Sequence, residues 1–462
     1  MIRSFFVCLF FVFFEVLLFG QNSSVQLLIS VIEFLALIYL FLFKSKKIAI
    51  FYLFSFSLLT LGGINYMEED APMNFYGIRF GVSLSIILSF FFMFTVLCER
   101  SKWYVLMTSI TKYFCFFLIY IFIVGLFLTI FSVNYCSFFL QDLLTYLPIL
   151  PYVVLIQLLS IDDIKKMIYV TLSVSTFMLL FSLAIDKKMI YAGNTFVLCN
   201  IVTFFVYPFA VFLLFRSFNF FIRWSNLLLF CCLIVLGSYF ISGKHIILLF
   251  IFFMWFIARK MRTKNFIFFL LLLFVSFFYI TNILIFFSDS FQDIPAIKFK
   301  FDQILAVFNS SDVFELALEK SSMGNLIAEY ETVFFYLKNN LLVLLFGKGM
   351  GGTVPDIFGY LAPWAGSSGY PIESLSLNAF YKMHLPLLEI PLKGGLILLI
   401  PFLIINIRLL LAKDSIGFLL FISFFMLFYY SKECMLLVLV YDRYRALCGL
   451  HIENKKNRNN IL

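Results

Sequence analysis

The chain has 462 residues, of which 63% are hydrophobic and only 13% charged, with a mean hydropathy of +1.04, whereas an ordinary soluble domain carries about 25% charged residues. A soluble globular fold is excluded, because so little polar surface cannot clothe so much apolar chain. The formal net charge of +9 acquires meaning only when it is divided between the two sides of a membrane, and no nucleic-acid partner is expected.

Apolar runs cut at polar or charged punctuation give fourteen predicted spans. They lie near 4–20, 25–43, 48–64, 77–97, 103–131, 138–159, 166–185, 195–215, 224–241, 245–258, 265–287, 386–407, 415–430 and 434–450. Runs of about 20 residues suit helices, and they far exceed the ~10-residue alternating segments of a barrel strand. Only helices and closed barrels satisfy the backbone in hydrocarbon, so the expected fold is an all-α polytopic membrane protein. The first run has the charge and hydrophobicity of a signal peptide but lacks a small-x-small site before Gln21, and reads as a retained span.

Basic residues sort the loops. With a cytoplasmic N-terminus, the inner segments collect Arg3, Lys44, Lys46, Lys47, Arg100, Lys102, Lys165, Lys166, Arg216, Arg223, Arg259 to Lys264, Arg408, Lys413 and the basic tail. Glu68, Glu69 and Asp70 fall on the opposite side. Both termini are therefore expected inside and the long loop 288–384 outside, with Lys187-Lys188 running against the rule. The chain divides into a transmembrane bundle over 1–287, the loop 288–384, a second bundle over 385–450 and a cytoplasmic tail over 451–462. The nine cysteines lie mostly inside apolar runs, so neither a disulfide framework nor a metal cluster is expected. The 68 phenylalanines are read as lipid-facing filler rather than stacking platforms.

Within the loop, a helical stretch from Leu326 to Leu345 stops at the glycine cluster Gly347-Lys348-Gly349-Met350-Gly351-Gly352. This cluster lacks the Lys-Ser/Thr pair of a nucleotide-binding loop. From Thr353 to Tyr381 the chain is rich in Pro, Gly, Ser and aromatics and reads as an ordered loop over a cleft. Trp364 there is either a platform for a sugar face or an interfacial anchor. The next span opens with His384, Glu389 and Lys393, and ionisable groups at the mouth of a helix form a site hypothesis by default. Snorkelling is the bland alternative, and for Lys393 it weighs equally. Lys244, in the tight turn Ser242-Gly243-Lys244-His245, and Arg79 are outward cations suited either to a phosphate or to interfacial anchoring. Glu15 and Glu33 lie inside early spans, where they can pair across helices.

Three patches, Ile241 to Ile246, Leu345 to Gly351 and His384 to Gly395, together resemble the O-antigen polymerase and O-antigen ligase superfamily. These are integral membrane glycosyltransferases of the GT-C type. The resemblance implies an inverting transfer of glycan from an undecaprenyl-diphosphate carrier at the outer face of a bacterial cytoplasmic membrane. It also implies membrane lipids and a chain-length regulator protein as partners, with no cofactor and no metal. On that footing His384, Lys244 and Glu331 are expected to be catalytic. Arg79, Lys348, Gly347, Gly349, Gly351, Glu329 and Trp364 are expected to bind substrate. The sequence departs from the family pattern in carrying Lys at 244 where Arg is common, Glu329-Tyr330-Glu331 where an Arg is usual, and Leu385 after the histidine. Repeat-unit polymerisation is the leading expectation. Ligation of glycan to a lipid A core, and a polysaccharide flippase or other transporter, are the alternatives.

Overall fold

The computed structural model describes residues 2–17, 23–59, 84–99, 108–147, 149–185, 322–364, 370, 372–381, 383, 385–411, 432–459 and isolated positions between 417 and 425. The predicted spans at 195–215, 224–241, 245–258 and 265–287, with Arg79, Lys244 and His384, fall outside the described residues. Among the described residues the chain is helical, without strands, and three helical stretches are long and apolar enough to cross a membrane. These are Ser109–Ile130, Cys136–Leu158 and Pro386–Leu411.

In chain order the helices are α1 (Ile2–Leu17), α2 (Ser23–Tyr39), α3 (Lys46–Leu59), α4 (Leu84–Glu99), α5 (Ser109–Ile130), α6 (Cys136–Tyr146), α7 (Ile149–Leu155) and α8 (Ile161–Ile185). They continue as α9 (Ser322–Asn339), α10 (Leu341–Phe346), α11 (Ile372–Ser376), α12 (Pro386–Leu411) and α13 (Lys432–Asn459). Their ends follow local chemistry. Thr108 caps α5 by accepting from the Thr111 N–H at 3.0 Å. Ser160 and Asp163 satisfy each other's backbone N–H groups at the start of α8, the reciprocal arrangement of a capping box. A single π-helical turn, Leu40–Lys44, ends α2 at the basic cluster. Helix α13 runs on through Asn459, so residues 451–459 continue the last helix.

One large core joins α1 to α8 with α12 and α13, and Phe54, Phe92, Phe114, Phe117 and Phe402 are fully buried in it. Phenylalanine therefore serves two purposes. Phe6, Phe10, Phe94 and Phe127 face outward, while Phe41 stacks on Phe92 with ring centres 3.9 Å apart. Dispersion between packed rings contributes to helix association where the apolar surroundings supply no hydrophobic drive.

Helix α12 is discontinuous. Gly395 takes φ 60°, ψ −160° inside it, and Pro391 lies a turn earlier. Without a Cβ, glycine tolerates that conformation. Against this break packs the end of α10, closed by Gly347 at φ 72°. The chain then turns back through Gly349 (φ 67°) and Gly351 (φ 75°). The predicted helix-to-glycine stop is thus present, although the helical stretch is divided at Asn340 into α9 and α10. The glycine turn inserts between α5, α6 and α12. A Cβ on Gly349 would overlap the backbone of Gly125 in α5, one on Gly351 the backbone of Phe139 in α6, and one on Gly395 the Leu345 carbonyl.

Candidate functional site

Two helix faces, each reading polar at positions four apart, meet where α6 crosses the first half of α12. Asp142 and Tyr146 share one face of α6, and Glu389 and Lys393 share one face of α12. The Lys393 ammonium pairs with Asp142 Oδ2 and lies 3.2 Å from Glu389 Oε1. It also sits 5.8 Å above the centre of the Tyr146 ring. The Tyr146 hydroxyl reaches Glu389 Oε1 at 3.4 Å. All four side chains are buried.

Two carboxyl groups share one ammonium here, and burial makes such a cluster costly unless further polar donors meet it. Backbone N–H groups supply them. Met383 donates to Glu389 Oε2 at 2.7 Å, and Gly351 donates to Asp142 Oδ2 at 2.7 Å. The cluster therefore ties two segments of the 288–384 loop to the helix bundle, one at the glycine turn and one beside His384. Phe138 of α6 stacks on Tyr381 at 4.4 Å and holds the same exit segment.

The glycine turn is itself fully bonded to the protein. Gly347 N–H donates to Val343 O (2.7 Å), Lys348 N–H to Leu392 O (2.8 Å) and Gly349 N–H to Lys393 O (2.8 Å). Met350 N–H donates to Ile121 O at 2.8 Å. The Asn134 amide donates to the carbonyls of Lys348 (2.7 Å) and Met350 (3.1 Å). In this arrangement Gly347, Gly349 and Gly351 direct their N–H groups at the protein. Lys348 is buried, donates from Nζ to Thr353 O at 2.9 Å and lies 5.5 Å from the centre of the Tyr336 ring. Desolvation pulls its ammonium below the ordinary lysine value of 10.5.

Above this layer the loop is ordered by a second set of contacts. Glu329 is buried and accepts from the Tyr370 hydroxyl. Burial, and then the Glu329 charge, push that hydroxyl well above the usual tyrosine range. Val354 and Phe380 exchange N–H···O bonds at 2.8 and 2.9 Å. The Asp356 carboxylate gathers the N–H groups of Tyr360, Leu361 and Ala362 at 2.8–2.9 Å. Glu331 is half-buried on α9, about 200° around the helix from Glu329. Trp364 ends a short 3-10 turn, Ala362–Trp364.

The structure thus brings together Lys348, the three glycines and the Glu389–Lys393 mouth, and places Glu329 in a separate pair with Tyr370. Lys393, read from sequence as equally a snorkelling residue, is wholly buried in an ion pair. Asp142, Tyr146, Asn134 and Gly125 escaped the sequence reading. Asp142 carried a signal nonetheless, as an acid inside an apolar run. Groupings of three or more His, Cys, Asp or Glu able to hold a metal are absent among the described residues. Comparison with family models, with curated proteins and with solved structures finds no match.

Proposed function

We propose that the chain is a membrane glycosyltransferase that polymerises lipid-diphosphate-linked oligosaccharide repeat units into a surface polysaccharide at the outer face of a bacterial cytoplasmic membrane. One observation carries the reading. Two of the three sequence patches that resemble the O-antigen polymerase superfamily, the glycine turn and the segment from His384 to Gly395, form one unit, joined by the bonds of Lys348 and Gly349 to Leu392 and Lys393. Residues about forty apart in sequence carry the resemblance and share one packed structure.

In this reading His384 is the group that takes the acceptor proton, and the Glu389 bond to the Met383 N–H fixes the backbone one residue before it. Glu389, Lys393 and Asp142 are buried positioning residues; Lys244, Arg79 and Lys348 are the cations for the diphosphate leaving group. Glu331 is kept as a second catalytic group, and Glu329 and Trp364 as the sugar-contact candidates.

A transporter is the second reading, favoured by the broken helix α12 with ionisable groups beside the break, a recurrent architecture of substrate sites in transporters. Gene deletion followed by gel analysis of surface polysaccharide separates the two. Loss of long chains with a single repeat unit still attached is the polymerase outcome. Loss of all attached repeats points to transport or ligation, and an unchanged pattern removes all three. His384→Ala and Lys244→Ala in the full chain are expected to shorten the polymer without loss of membrane insertion.

A further inference from the structure

We infer that α9, α10 and the glycine turn form a re-entrant hairpin, with the exposed apolar face of α10 seated in the acyl region of the bilayer. The loop 288–384 is thereby not wholly aqueous. The inference rests on the reading of α5 and α12 as membrane spans and is independent of the substrate.

Two separate rulers give the depth. On α5, Tyr120 Oη donates to the Phe346 carbonyl at 2.9 Å and Met350 N–H donates to Ile121 O. Ile121 lies nine residues before the end of α5 at Ile130, a distance of about 14 Å at 1.5 Å per residue. On α12, the Leu345 carbonyl lies against Gly395, nine residues in from Pro386, again about 14 Å. The helices are somewhat longer than a ~30 Å hydrocarbon core, so the hairpin tip lies roughly 10 Å or more inside it.

The direction of travel agrees. Helix α9 has Glu329 bonded to Tyr370 near its start and Tyr336 beside Lys348 further along, and α10 follows at the level of the α12 break. From Leu345 to Lys348 the contacts move from Gly395 back to Leu392, so the chain is then rising.

Composition fits the same place. Helix α10 is Leu-Leu-Val-Leu-Leu-Phe with no buried residue. Leu341 and Leu342 are 68% and 74% exposed, and Leu345 and Phe346 are also exposed. Four apolar side chains so exposed in water, on a helix whose Val343 and Leu344 pack inward, would be an aggregation liability. The helices that α10 and the glycine turn pack on also carry outward apolar side chains: Ile119, Ile123 and Phe127 on α5, and Ile400 and Ile404 on α12. Irregular backbone is tolerated at membrane depth only when buried in protein, and the glycine turn meets that demand through its bonds to α5, α6 and α12.

The test uses the full chain in proteoliposomes, with the native cysteines replaced and a nitroxide label at Leu342→Cys or, in a second variant, Phe346→Cys. Ile123→Cys is the reference for a lipid-facing site and Ile357→Cys for the exposed loop. Collision with oxygen exceeding collision with an aqueous nickel chelate, as at Ile123→Cys, is expected at both positions. Nickel accessibility equal to that at Ile357→Cys would overturn the inference by placing α10 in water. Shielding from both reagents would overturn it by showing α10 covered by protein.

Discussion

Lys393 is the charge on which the buried cluster balances, and the consequences of removing each member differ in a way that can be ordered in advance. Lys393→Met leaves Asp142 and Glu389 facing each other in a dry site, so it should cost about 3–5 kcal/mol of stability. Asp142→Asn should cost less, because Lys393 keeps Glu389 at 3.2 Å and the new amide oxygen can still accept from the Gly351 N–H. The double change Lys393→Met with Glu389→Gln should recover part of the loss. Unfolding midpoints in detergent micelles measure the order, and equal losses for both single variants would show that the pair is not the source of the effect.

At the scale of elements, the glycine turn is held by close backbone approach, which makes its glycines unequal. Gly349 and Gly359 both have positive φ, 67° and 74°. A Cβ on Gly349 meets the α5 backbone, whereas one on Gly359 meets nothing within 4 Å. Gly359→Ala should therefore cost only the local strain, about 1–2 kcal/mol. Gly349→Ala must in addition push the turn off α5 and should greatly reduce the yield of folded protein, as read by monodisperse recovery in gel filtration. Similar recovery of the two variants would refute the keystone role. The contrast also marks what the chain pattern could reveal. Helix α12, the stop at Gly347 and the burial-prone mouth at Glu389 were legible, because apolar length, helix-stopping glycine and misplaced charge are local signals. Gly125 was not, since a lone glycine in an apolar helix says nothing about which distant turn needs the space. Asp142 was visible as an anomaly, but its pairing with Lys393, 251 residues away, is a tertiary fact without local trace. The division of α9 from α10 at Asn340 likewise follows from docking on α12 rather than from propensity.

The whole molecule has two chemically distinct ends, and the contacts sort the helices between them. Helix α5 leaves Asp442 of α13 at its start, where Thr108 and Thr111 donate to that carboxylate, a favourable place for an acid beside a helix N-terminus. Arg443 donates to the Gln157 carbonyl beyond α7 at 3.0 Å, a few residues before Lys165 and Lys166. The C-terminal basic segment, the start of α8 and the start of α5 thus gather at one end. The opposite end holds the α5–α6 turn, the start of α12 and the Glu329–Tyr370 pair. Since lysine and arginine are retained on the cytoplasmic side, the first end is expected in the cytoplasm and the Glu329–Tyr370 end outside. A phosphatase that is active only outside the cytoplasm, inserted after Ile357, should therefore give high activity, and the same reporter fused after Leu462 should give background. A fluorescent protein that folds only in the cytoplasm should give the reverse pair. Activity of both reporters at the same position would mean mixed insertion, and a swap of the two patterns would invert the molecule and place the glycine turn and Lys348 on the wrong side for an externally supplied lipid-linked substrate.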